Sequence, residues 1–225
     1  MFSSTRLREH WGPIICGLVA AFTLLACLPF GEFSFNDDWS YSHIALNLYR
    51  FGHMAYDGWC TPTLLVQALW GSLLIRIFGF SFELLRFSTL PVAVGCAVLL
   101  QRLGRSACLA PAAATFASLA FVTSPLFVPL ATSFMTDVWA CFFMLLCFYC
   151  AVKAGAPGPA ARRSALWLTI SLAAGLLGGL DRQTTYIAPG SVLLWALWRW
   201  RREPRMLSVV GVLLAALATE KAGDE

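Results

Sequence analysis

The chain has 225 residues, of which 59% are hydrophobic and only 12% charged, and its mean hydropathy is +0.71. That balance excludes an ordinary soluble domain and points to a multispanning membrane protein. The net charge of +4 does not signal a nucleic-acid partner. Arg and Lys gather in short segments between apolar runs, which is the positive-inside pattern of membrane proteins rather than a basic face.

Arg6 and Arg8 precede the first apolar run, residues 13–30. It is expected to persist as a first transmembrane helix that also serves as the targeting signal. The LLAC sequence at 24–27 lacks the small residue two positions before Cys27 that a lipoprotein cleavage site uses. Further uncharged runs at 87–101, 107–135, 138–152, 165–180, 183–198 and 206–219 predict about seven spans in all. The fold class expected is therefore all-α, a transmembrane helix bundle forming a single domain over residues 1–225.

Between the first two runs lies FSFNDDWSYSH, residues 33–43, with adjacent carboxylates at Asp37 and Asp38. Residues 37–51 predict an amphipathic helix. Tyr41, Ile44, Ala45, Leu48 and Phe51 share one face, and Ser40, His43, Asn47 and Arg50 the other. Asn36 is the expected N-cap and Gly52 the expected stop. The plain reading of the two acids is that they offset the helix dipole in its first turn.

Residues 61–80, TPTLLVQALWGSLLIRIFGF, are apolar enough to pass for a span, and the charges decide against it. If this stretch crossed, the segments carrying Arg102 and Arg105, and Arg199 to Arg205, would face the opposite side from Arg6 and Arg8. If it lies flat, these segments and the one with Lys153, Arg162 and Arg163 share the cytoplasmic side. A thin polar stripe at Gln67, Gly71, Ser72 and Arg76 fits an interfacial helix. A large first external loop, 31–86, follows, with smaller external loops near Asp137 and at 181–184. Glu83 and Arg86, three apart, predict a local ion pair, and Asp181 beside Arg182 reads as a paired charge at a helix end.

Seven of the eight cysteines lie in or beside apolar runs, and only Cys60 is clearly in a loop. Cys147 and Cys150 have redox-motif spacing but fall inside a predicted span, so structural thiols without a disulfide are expected. His43, His53 and Asp57 match no established metal spacing. Trp59, Trp70, Trp195, Trp198 and Trp200 read as interfacial belt residues.

FNDDWSY after a first span, a flat loop helix, SFELLRFSTLPVAVG, and ATSFMTDVWACFF after the third span together resemble the GT-C glycosyltransferases. Within them the chain is most similar to the branch holding protein O-mannosyltransferases and lipid A aminoarabinose transferases. The resemblance runs in order over nearly the whole chain and implies catalytic acids at Asp37, with Asp38 beside it, and at Asp137. Asp37 would be the general base, and Asp137 would orient the acceptor or a metal. Arg182 would contact the lipid phosphate of the donor, while Tyr41 and His43 are expected to line the substrate site. Relatives often carry Lys-Pro at the start of the flat helix, where this chain has Thr61 before Pro62, so one phosphate contact of the family is in question. Relatives are also longer, so the chain reads as the N-terminal part of such an enzyme and is expected to be inactive by itself. The implied localisation is the bacterial inner membrane with an external active face.

The residues support this chemistry independently. No Gly-rich phosphate loop opens a helix, and nucleotide sugars are kept in the cytoplasm, so an external site suits a polyprenyl-phosphate sugar as donor. The acceptor would be a lipid, a glycan or a protein, and the sequence leaves a divalent cation cofactor open. Transfer needs a base for the acceptor's proton and a cation for the departing phosphate. The alternative is a transporter or another non-catalytic membrane protein, whose mark would be mid-span ionisable residues or matched broken helices. The charges here sit at the ends of runs and no internal repeat is evident, which favours the enzyme.

Overall fold

A computed structural model of the chain describes residues 4–59, 63–156, 161–203 and 211, with side chains from residue 11 onward. The described residues are helical, without a strand. In order they form α1 (Ser4–Cys27), α2 (Asp38–Phe51), α3 (Leu65–Phe78), α4 (Phe82–Ser106), α5 (Pro111–Val122), α6 (Phe127–Ala131), α7 (Thr136–Gly155), α8 (Ala161–Asp181) and α9 (Ile187–Arg199). A single 3-10 turn, Gln183–Tyr186, precedes α9.

Three of these helices, α4, α7 and α8, are long and apolar enough to cross a membrane. The apolar part of α1 at 11–27, together with α3 and α5, is shorter. The expected run at 206–219 lies outside the described residues, apart from residue 211. The run at 107–135 is not one helix. Pro125 has no backbone N–H to continue α5 and disfavours helical geometry at Ser124 before it. The chain turns there, with the Ser124 hydroxyl accepting from the Phe127 amide at 3.2 Å, and resumes as the short α6.

Side-chain contacts set the helix directions. Gly17 faces Val94 and Val98, and the Cys16 thiol approaches the Thr115 carbonyl, so α1 runs against α4 and beside α5. Gly95 of α4 lies against Phe142 of α7. Ser171 of α8 donates to the Cys147 carbonyl at 2.6 Å, and Gly178 meets Phe143, so α7 and α8 are antiparallel. One core cluster joins α1, α4, α6 and α7 around Leu24, Ala93, Cys96 and Val138. A second joins α7, α8 and α9 around Cys147, Leu168 and Val192. These directions bring Arg102, Arg105, Lys153, Arg162, Arg163, Arg199, Arg201 and Arg202 to one end of the bundle. The ends of α1 and α8 and the starts of α4 and α7 lie at the other.

Helices α2 and α3 cap that second end. Their cluster, with Ile44, Ala45, Leu64, Ala68 and Ile75, closes over Leu85, Phe134 and Met135. The contacts of α3 with α7 and α8 fall at the ends of those helices: Trp70 on Trp139, with ring centroids 5.9 Å apart, and the Gln67 amide on Asp181. The helix crosses the bundle end rather than running along it. Its stripe differs from expectation, because Gln67 and Gly71 face protein while Leu69, Trp70, Leu73, Ile77 and Phe78 are exposed. Gly71 sits so close to Ala45 and Phe134 that a Cβ would overlap both. At such a contact only glycine fits.

Candidate functional site

The first loop motif is shaped by its backbone before its side chains act. Asn36 takes a left-handed conformation, φ 59°, tolerable for Asn, so it cannot be the cap the sequence suggests. Asp37 occupies the N-cap position of α2, yet neither its side chain nor any other caps the helix there. Gly52 does end α2 as expected, at φ 73°, with its amide on the Leu48 carbonyl. The expected apolar and polar faces of α2 are otherwise kept, except that Ser40 is buried and Phe51 exposed.

The two acids diverge sharply. Asp38 is fully buried, and its Oδ1 accepts from the Phe35 amide at 2.6 Å. Its Oδ2 lies 3.8 Å from Arg86 Nε, too far for a hydrogen bond, and has no hydrogen-bond partner. Burial pushes the Asp38 carboxyl up to about 6, against the opposing pull of the Phe35 amide, the Arg86 charge and the Phe134 amide. Asp37 remains partly exposed, and its Oδ1 accepts from the Trp59 indole N–H at 3.1 Å. Trp59 in turn lies 6.5 Å from Trp39, both exposed, so an aromatic wall flanks the Asp37 carboxylate.

The spacing pairs Arg86 with Glu83, but Arg86 turns inward to Asp38. It is fully buried and donates to the carbonyls of Pro29, Gly31, Phe33 and Phe82 at 2.7–3.2 Å. The guanidinium also lies 4.8 Å from the Phe33 ring centroid. It thus ties the loop leaving α1 to α4. Glu32 assists from the same loop, accepting from the Ser81 hydroxyl and from the Phe82 amide at the start of α4. The fork of five donors on one planar group is what lets a single side chain bind so many carbonyls.

The second motif, MTD, meets the first directly. Asn36 Nδ2 approaches Met135 Sδ at 3.2 Å, and the Phe134 amide reaches the Asp38 carboxylate. Two residues after Met135, Asp137 Oδ1 pairs with Arg182 at 2.7 Å, both partly exposed. Asp181 and Arg182 therefore do not pair with each other. Asp181 is fully buried, with Oδ1 accepting from the Gln67 amide at 3.0 Å and its carbonyl accepting from the Thr63 hydroxyl. A cleft of about 310 Å³, lined by Phe121, Leu126, Phe127, Leu130 and Cys141, reaches Asp137.

Of the remaining expected site residues, Tyr41 is buried in the α2–α3 cluster. His43 is exposed among Trp39, Phe80 and Phe82, with Nδ1 2.6 Å from the Trp39 carbonyl. His53 and Asp57 contact their own loop, at the Phe51 carbonyl and the Trp59 amide. Among the described residues no three His, Cys, Asp or Glu side chains cluster to hold a metal. Cys60 and Thr61 lie outside the described residues. Sequence reasoning missed Arg86 and Gln67 as partners of the acids, and Trp59 as the ligand of Asp37. Their partners lie 48, 114 and 22 residues away, beyond any local periodicity.

The arrangement offers an accessible carboxylate beside aromatic rings, an accessible cation already balanced by an acid, and an apolar cleft leading to that pair. Comparison with known proteins adds no assignment: no family model, curated protein or solved structure matches the chain.

Proposed function

We propose that the chain is a membrane glycosyltransferase that takes its sugar from a polyprenyl-phosphate donor at the end of the bundle opposite the basic residues. The carrying observation is the meeting of the FNDDW and MTD motifs, which brings Asp37 and the Asp137–Arg182 pair to that end. In this reading α1, the α5–α6 segment and α9 also cross the bilayer, giving about seven spans with residues 206–219. The site faces outward from a bacterial inner membrane, and residues 31–86 form its first external loop.

The division of labour follows from exposure. Asp37 is the base: partly open to solvent, oriented by Trp59, and able to take the proton of an acceptor hydroxyl as that oxygen attacks the sugar's anomeric carbon. The bond to the phosphate breaks, and Arg182 stabilises the charge that collects on the departing lipid phosphate. Asp137 holds Arg182 in place until the donor arrives. Asp38 is a positioning residue, locked by burial against Arg86. Trp39 and Trp59 suit the apolar face of a sugar ring, and the cleft beside Asp137 suits an isoprenyl chain.

The test uses the purified chain in lipid nanodiscs with a photoreactive polyprenyl-phosphate sugar. Saturable labelling is expected, weakened about tenfold or more in Arg182→Ala through loss of a charge-assisted contact. Asp37→Asn should label normally, and when it is introduced into a full-length, active form of the enzyme, release of polyprenyl phosphate should fall about a hundredfold to ten-thousandfold. Absence of saturable labelling, or normal turnover in Asp37→Asn, refutes the reading. Solute uptake into proteoliposomes would instead support the transporter alternative.

A further inference from the structure

At the opposite end of the molecule, a cavity of about 320 Å³ opens between the last turns of α4 and α7. Among the described residues it is lined by Gln101, Arg102, Arg105, Ser106, Tyr149 and Lys153, none of them a carboxylate. The two helices run in the same direction here, so three cationic side chains converge on one concavity. Tyr149 supports one of them, with the Lys153 ammonium 5.3 Å from its ring centroid. Gln101 is 1% exposed, and its Oε1 has no hydrogen-bond partner. A buried amide oxygen left in that state costs stability unless a ligand supplies a donor.

From this we infer a binding site for the headgroup of an anionic phospholipid, with the phosphate among Arg102, Arg105 and Lys153. The cavity lies at the end of two apolar helices and at the bundle end where the basic residues collect, the end that the positive-inside pattern assigns to the anionic leaflet. A soluble phosphate would satisfy the same cations. The lipid is favoured because both walls of the cavity are ends of helices long and apolar enough to span, which places it at headgroup depth.

The simpler account is that these side chains only offset the dipoles of two helix C-termini. Arg105 serves that purpose in part, donating to the Leu109 carbonyl just beyond α4. Dipole compensation requires no cavity and no shared focus, and it predicts the same stability in every lipid.

The test follows thermal unfolding and native mass spectra of the whole chain in neutral detergent. Phosphatidylglycerol is titrated against phosphatidylcholine, with inorganic phosphate and glycerol 3-phosphate as soluble arms. Phosphatidylglycerol is expected to raise the melting temperature and to remain bound. Its apparent affinity should fall about fivefold for each cation removed in Lys153→Gln and in Arg102→Gln/Lys153→Gln. Tyr149→Leu removes the ring that supports Lys153 without changing a charge, so it tests the site if the charge variants do not fold, with binding weakened severalfold. Arg162→Gln/Arg163→Gln, basic but outside the cavity, should bind phosphatidylglycerol normally. Equal loss in that control, equal stabilisation by phosphatidylcholine, or equal stabilisation by the soluble phosphates would each overturn the assignment.

Discussion

Asp37 and Asp38 are neighbours in sequence with opposite surroundings, and their chemistry follows the surroundings. The first turn of α2 points Asp38 into the bundle, where Arg86 lies near but makes no hydrogen bond to it, and leaves Asp37 at the surface. Neither makes a capping hydrogen bond, while Asp38 keeps the first-turn position in which a carboxylate offsets the helix dipole. For Asp38 the sign of the pH effect is definite. Its carboxyl titrates near 6 in the fold against 3.8 in an unfolded chain, so the fold binds the proton more tightly. Stability is then greatest at or below about pH 4, declines as pH rises to about 6, and is flat above. At about 1.4 kcal/mol per pKa unit the decline is on the order of 3 kcal/mol. Unfolding curves in mixed micelles between pH 4 and 7 should fall more steeply with pH in the wild type than in Asp38→Asn. An unchanged slope in that variant would assign the titration to another group.

At the scale of elements, the arrangement depends on how α3 lies across the bundle end. Glycine at 71 allows the helix to approach Ala45 and Phe134, whose atoms would be 2.8 and 2.9 Å from an added Cβ. Gly71→Leu should therefore destabilise the protein by about 1–3 kcal/mol, the usual cost of overpacking, and expose the α2–α3 region to protease. Gly190 in α9 is the contrast, since a Cβ added there would meet nothing within 4 Å. Gly190→Ala should be neutral or stabilise by up to about 1 kcal/mol through helix propensity. Comparable losses in both variants would show that the close packing of α3 is not what matters. The break between α5 and α6 is a second element-level feature, and Pro125 made it foreseeable. The hydropathy of 107–135 conceals it, because apolarity is summed over a window and does not register a missing backbone donor.

For the whole molecule, Arg102, Arg105, Lys153, Arg162, Arg163, Arg199, Arg201 and Arg202 gather at one end, as the charge pattern required, while Arg86 and Arg182 lie with the acids at the other. Topology can be checked directly. Reporter fusions after Ser106 should read cytoplasmic and fusions after Met135 external, and the reverse at both sites would place α3 as a span. Composition alone pointed to a helical membrane protein, in keeping with three helices long and apolar enough to span, and the charge distribution sets the expectation of a flat α3 that the fusions test, because hydrophobicity and net charge act on whole segments. The start and stop of α2 were legible to within a residue, since Gly52 imposes its geometry locally. Pairing was not legible. Arg86 with Asp38, Arg182 with Asp137, and Gln67 with Asp181 each join residues separated by more than 40 positions. In a low-dielectric interior a charge settles with whichever counter-charge or carbonyl the packing brings nearest, and only the tertiary structure decides which one that is.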